Sequence, residues 1–187
     1  MRNRPLATAS LGRWRIGVSA IALATVVSGA CRSQEKRVRP HETGSQIVDG
    51  ATITITYGRP STRGRAIFGM LIPYEQVWMP GADESTILQT SADLQIGTVR
   101  LPAGSYSLYT LPSASTWKLI VNKQTGQSHT EYHAEQDFAR VDVRIDRLTE
   151  PIEQLTISTV PRAEHGGELR IEWAALRAAV PFTVVRR

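Results

Sequence analysis

Apolar and polar side chains alternate one by one through Ala51-Thr52-Ile53-Thr54-Ile55-Thr56-Tyr57. A period of two built on β-branched residues is the pattern of a strand that buries one face. It recurs along the chain. Trp117, Leu119 and Val121 alternate with Lys118, Ile120 and Asn122, and Val141, Val143 and Ile145 with Asp142, Arg144 and Asp146. Leu155, Ile157 and Thr159, then Leu169, Ile171 and Trp173, continue the series. Residues 94–110 read as a hairpin around Pro102-Ala103-Gly104, because proline fixes one turn dihedral and glycine permits positive φ. Gly166-Gly167 marks a further turn, and Leu176–Val185 a last strand that Pro181 assigns to an edge or a bulge. No helix-period segment exceeds two turns, and only Pro73–Trp78 and Glu131–Phe138 suggest single turns. Short strands without a βαβ rhythm predict an all-β fold, an antiparallel β-sandwich of about eight or nine strands. Ile53, Ile55, Leu108, Leu119, Val143, Ile157 and Ile171 should lie inside it, with Trp117 and Trp173 on its buried faces.

The N-terminus is of a different kind. Residues 1–30 hold Arg2, Arg4, Arg13 and Arg15 and no acidic residue, so most of the formal charge of +5 belongs to them. Residues 31–187 carry eighteen basic against seventeen acidic side chains, which excludes a nucleic-acid-binding domain with a strongly basic face. The basic stretch, the apolar run Ile16–Val27 and the small residues Ser28-Gly29-Ala30 come in the order of an export signal. The run is too short to span a bilayer, which takes about 20 residues. The single cysteine, Cys31, comes directly after it, where lipid attachment would account for an unpaired thiol in an exported protein. Ser28 is not the aliphatic residue that lipid-attachment sites favour, and cleavage by an ordinary signal peptidase is the alternative. The expected organisation is a signal peptide over 1–30, a polar tether over 31–46 and the β-sandwich over 47–187. The partners expected are a membrane, through Cys31, and a small-molecule or glycan ligand. The location is periplasmic or at the cell surface.

Several motifs in the sandwich region resemble a bacterial family, domain of unknown function 2911. They are Tyr57-Gly58-Arg59-Pro60-Ser61, Arg63-Gly64-Arg65, Ile67-Phe68-Gly69, Ile72-Pro73-Tyr74, Val77-Trp78 and Gly81-Ala82-Asp83-Glu84. Leu101-Pro102-Ala103-Gly104, Tyr106-Ser107-Leu108, Asn122-Lys123, Thr125-Gly126-Gln127, Thr130-Glu131-Tyr132, Gln136-Asp137 and Glu172-Trp173 continue the series to about residue 182. The resemblance implies an exported, often lipid-anchored β-rich protein and no assigned activity. The sequence departs from the family pattern at Met79-Pro80, at Asp83 and at Ser128-His129.

The strongest candidate for chemistry is the loop Arg59-Pro60-Ser61-Thr62-Arg63-Gly64-Arg65. Three guanidiniums in seven residues suit a carboxylate, a phosphate or an acidic sugar, since each presents a planar fork of donors. The plainer account is surface pairing with Glu75, Asp83 or Glu84. Trp78 beside Asp83 and Glu84 could form a sugar-stacking platform, or could simply anchor the core. Asp83 and Glu84 also suggest an extracytoplasmic hydrolase acting on a glycan or other acidic substrate, with an arginine clamp. Adjacent residues of an extended chain point to opposite faces, so that pair alone cannot flank a bond. His129 and His133 would share a face on a helix and could hold a metal, but no third ligand is evident. No cofactor is expected, no catalytic residue is assigned, and a binding or scaffolding role is favoured over an enzymatic one.

Overall fold

The computed structural model describes residues 41–186. The expected signal peptide, Cys31 and most of the tether lie outside these residues. The antiparallel strands among the described residues are nine: β1 (His41–Val48), β2 (Ala51–Gly58), β3 (Ile87–Thr90), β4 (Leu94–Ile96), β5 (Val99–Leu101), β6 (Gly104–Leu111), β7 (Trp117–Asn122), β8 (Asp137–Pro161) and β9 (Gly167–Val184). They form one continuous sheet in the order β1-β2-β3-β6-β7-β8-β9-β4-β5. The sheet folds over on itself, so that β2, β6 and β7 share a single apolar core with β4, β9 and the far half of β8. The chain leaving β2 ties the two halves together. Leu155 N–H donates to the Pro60 carbonyl at 2.9 Å, Thr62 N–H to the Glu153 carbonyl at 2.9 Å, and Ile157 N–H to the Tyr57 hydroxyl at 2.9 Å.

The alternation in sequence is the alternation in burial. Ala51, Ile53, Ile55 and Tyr57 are buried, and the threonines between them are half-buried or exposed. All seven expected core residues are buried, as are Trp117 and Trp173, each 2% exposed. The core is drawn from residues 48–182. A chain beginning at Lys36 therefore contains everything the sheet and its core require, which is the condition for folding as a unit. The central strands β6 and β7 are also covered on their outer face, where Met79, Tyr109 and Ile120 make a small second cluster.

Four details differ from the sequence-based expectation. First, residues 41–46 are not tether but the first part of β1. This is an edge strand held by its ladder to β2 and by hydroxyl pairs such as Thr43–Thr56 and Ser45–Thr54, both at 3.1 Å. A strand held by backbone and hydroxyls needs no apolar alternation. Second, 94–110 is not one hairpin. β4 and β5 pair through a turn at Gly97 (φ 58°), and β6 leaves for the other half of the sheet, between β3 and β7. Third, the runs at 141–145 and 155–159 belong to one 25-residue strand, β8, with register shifts between Arg147 and Thr156. Fourth, the runs at 169–173 and 176–185 likewise fall on β9. Pro181 lies between the last β8 pairing, at Ala179, and the first β4 pairing, at Phe182, where no ladder N–H is needed. Of the two expected helical turns, only a single 3₁₀ turn, Ala134–Gln136, forms among the described residues.

Candidate functional site

β2 ends at Gly58, where the backbone of Ala82 passes so close that any Cβ would collide with its carbonyl oxygen. Two connections are thereby drawn together at this end of the sandwich: the arginine loop leaving β2 and the segment 78–86 leading into β3. Trp78 is fixed by a two-way backbone bridge to Thr110, 2.8 Å one way and 2.7 Å the other. Its ring lies at 6.0 Å from that of Trp173 with an interplanar angle of 17°, and edge-on to Phe68 at 5.9 Å. Trp78 is half-buried, so it both packs on the core and shows a face outward.

Between these parts opens a cleft of about 320 Å³. Arg59, Arg63 and Arg65 line it together with Trp78, Trp173 and His129. Its volume is at the lower end of the small-ligand range. The three arginines are held differently. Arg59 is tied down by Glu42 at 2.6 Å, by the Leu155 carbonyl at 3.1 Å and by the Thr156 hydroxyl at 3.1 Å. Arg65 donates to the carbonyls of Thr62 at 2.9 Å and Ser61 at 2.8 Å, so its position is set without a carboxylate partner among the described residues. The Arg63 side chain makes no hydrogen bond among the described residues, but its backbone N–H donates to Glu153 Oε1 at 2.9 Å. Glu153 also accepts from the Thr62 hydroxyl, and these two hydrogen bonds, Thr62 first, hold its carboxyl below the ordinary glutamate range. Glu153 thus clamps the arginine loop to β8.

The expected pairing of the arginines with Glu75, Asp83 or Glu84 is not what forms. Arg59 pairs instead with Glu42, a residue assigned to the tether from the sequence. Neither Asp83 nor Glu84 lines the cleft. Asp83, at φ 71°, has its Oδ2 3.6 Å from His41 Nε2. Glu84 is exposed and bridges to Ser128 through the backbone. The two histidines do not share a helix. His133 lies before the 3₁₀ turn with Nδ1 3.1 Å from Glu135, whereas His129 lines the cleft with Nδ1 3.1 Å from the Asp83 carbonyl oxygen. A carbonyl only accepts, so Nδ1 carries the proton. No cluster of three His, Cys, Asp or Glu able to hold a metal occurs among the described residues. Asp83 touches His129, and Met79-Pro80 holds Thr86 through the Met79 sulfur (3.2 Å from the Thr86 nitrogen) and the Pro80 carbonyl (2.8 Å from its hydroxyl).

Residues 39–182 match the family described as "Protein of unknown function (DUF2911)". The chain belongs to the DUF2911 family. Neither curated proteins nor solved structures give a match. Two members of the site are not foreseeable from the sequence. His129 suggests only a metal ligand there and Trp173 only core, because nothing in the sequence relates either to the arginine loop. Other residues that carry the DUF2911 resemblance serve the scaffold. Asp137 accepts from Asn122 Nδ2 at 2.9 Å, the Tyr132 hydroxyl at 2.6 Å and Arg140 Nε at 2.9 Å. Gln127 Nε2 donates to the Tyr109 hydroxyl at 2.8 Å. This network fastens segment 123–136 over the outer face of β6–β8. Burial and then the hydrogen bond to Asp137 push the Tyr132 phenol up to about 12.

Proposed function

We propose that this DUF2911 domain is an exported, lipid-anchored binding module that takes a small organic anion in the arginine cleft. The observation that carries the reading is the convergence of Arg59, Arg63 and Arg65 on one concave site with a tryptophan wall and no carboxylate in its lining. A guanidinium fixed by backbone carbonyls keeps its remaining donors for a carboxylate or phosphate. The flat ring of half-buried Trp78, backed by buried Trp173, suits the apolar face of a sugar acid or a similar ring. Export and anchoring rest on the leader and on Cys31. The hydrolase alternative through Asp83 and Glu84 draws no support from the geometry, since neither carboxylate faces the cleft.

The test is a thermal-shift screen of the domain from Lys36 onward against sugar acids, small carboxylates and phosphate esters. The expected result is a rise in Tm for one such class, lost in Arg63→Ala/Arg65→Ala and retained in Glu84→Ala. No shift with any class, or a shift indifferent to the arginines, overturns the reading. Anchoring is tested by expressing wild type and Cys31→Ala in a bacterial host. Wild type should fractionate with membranes and carry the mass of the acyl groups, and a soluble wild type with an unmodified Cys31 overturns it.

A further inference from the structure

Past the arginines the chain makes a compact excursion before reaching Trp78. Its base is fixed from within. Ile67 and Ile72 are 3% and 5% exposed, Gly69 N–H donates to the Ile72 carbonyl at 2.8 Å, and Ile72 N–H to the Ile67 carbonyl at 2.9 Å. Phe68 packs edge-on against Trp117 at 4.8 Å. The turn so pinned pushes its tip outward, leaving Met70 74%, Leu71 45% and Tyr74 38% exposed. Only one other large apolar residue among those described is as bare: Ile47, at the opposite end of β1 from His41. Isolated apolar residues on a surface need no explanation, but three on one ordered projection do.

The segment's own charge is mainly basic, with the Glu153 carboxylate of β8 beside Arg63 as its counterweight. Residues 59–76 contain three arginines and one glutamate, Glu75. Arg63 and Arg65 are exposed and line the same cleft as Leu71. An apolar and aromatic tip bordered by exposed arginines is the composition of a segment that rests in the interface of an anionic bilayer, with apolar side chains at the acyl boundary and guanidiniums among the headgroups. The chain's connectivity favours the same occupant. β1 begins at His41, beside Asp83 and one residue from the Glu42–Arg59 pair, so the preceding segment joins the domain at the cleft end. Ten Cα-to-Cα steps separate Cys31 from His41, with Lys36, Arg37 and Arg39 among the nine residues between. Fully extended they reach about 35 Å, and as a flexible coil about 17–20 Å.

We infer that the Met70–Leu71–Tyr74 tip, flanked by Arg63 and Arg65, docks the domain directly on an anionic lipid surface, so that the cleft opens toward the membrane. The orientation rests on the Cys31 anchoring reading; the lipid contact does not, and neither part requires the cleft to be filled. The experiment uses the unanchored domain from Lys36, sedimented with vesicles of phosphatidylcholine alone or with phosphatidylglycerol added, at millimolar lipid. Expected is several-fold more protein in the pellet with the anionic vesicles, weakened by salt. Met70→Glu should lower that partition about tenfold, the loss of roughly one inserted side chain. Met70→Ser should lower it less, and Met70→Leu should restore it. Met70 does not line the cleft, so the thermal shift of an anionic ligand should survive Met70→Glu. Absence of pelleting, equal pelleting with both vesicle types, or indifference to Met70→Glu overturns the inference. A concentration-dependent dimer abolished by Met70→Glu overturns it too, by assigning the tip to a second copy of the chain.

Discussion

Trp173→Ala is the perturbation that tests the packing most directly. The side chain is 2% exposed, stacks on Trp78 at 6.0 Å and donates its indole N–H to the Glu153 carbonyl at 3.1 Å. A buried tryptophan cut to alanine costs about 3–5 kcal/mol through lost transfer energy and the cavity left behind. The orphaned Glu153 carbonyl places the expected value in the upper part of that range. For a domain of this size each kcal/mol moves Tm by about 3–5 °C, so the expected drop is about 12–25 °C. Urea denaturation should show a lower midpoint at an unchanged slope, since the surface exposed on unfolding is nearly the same. Trp173→Phe keeps most of the ring and loses the donor, and it should cost about 1–2 kcal/mol. A Trp173→Ala variant that melts with wild type would refute the register of β9, because a slip of one residue turns that ring to solvent.

Gly166 stands at φ 74° with its absent Cβ aimed at the Phe182 carbonyl, so Gly166→Ala should cost about 2 kcal/mol or more in chemical denaturation. Gly97, at φ 58° with open space around it, should cost only about 1 kcal/mol on the same change. The carboxyl of Glu153 titrates lower in the folded state than in the unfolded one, so its contribution is present above the ordinary value of 4.5 and is lost as pH falls through the folded value. The Tm difference between wild type and Glu153→Gln should therefore be seen at neutral pH and vanish in acid. Tyr132 has the opposite sign. Its phenol is raised from 10.0 to about 12, so its contribution is complete below pH 10 and lost as pH climbs toward 12. Tyr132→Phe should flatten that alkaline decline and cost about 1–2 kcal/mol at neutral pH, read by denaturation.

The fold was legible wherever one face of a strand meets the core, because burial then imposes a period of two on the sequence. It was illegible where other forces hold the strand. β1 is a polar edge strand whose bonds come from backbone and hydroxyls, so Glu42 read as tether although it neutralises Arg59. β8 and β9 each read as two strands because the shifts between Arg147 and Thr156 interrupt the alternation without any turn between the runs. The arginine loop was legible as a site because three guanidiniums in seven residues is unusual composition. Its companions were not, since Trp173 and His129 reach the cleft only through the folding-over of the sheet. Asp83 and Glu84 misled for the same reason: closeness along the chain to Trp78 did not place either carboxylate in the cleft.

The sheet order has a consequence for how such a chain is made. β4 and β5 lie midway along the sequence, yet β4 finds its other neighbour only in residues 182–184, at the end of β9. The same β9 supplies the inner wall opposite β2 and pairs along nearly the whole of β8. A chain emerging from its N-terminus therefore carries an unsealed sheet until residues 167–184 arrive, and contacts this distant in sequence close slowly. The sandwich locks only when β9 slots between β8 and β4, two strands that have been waiting for it.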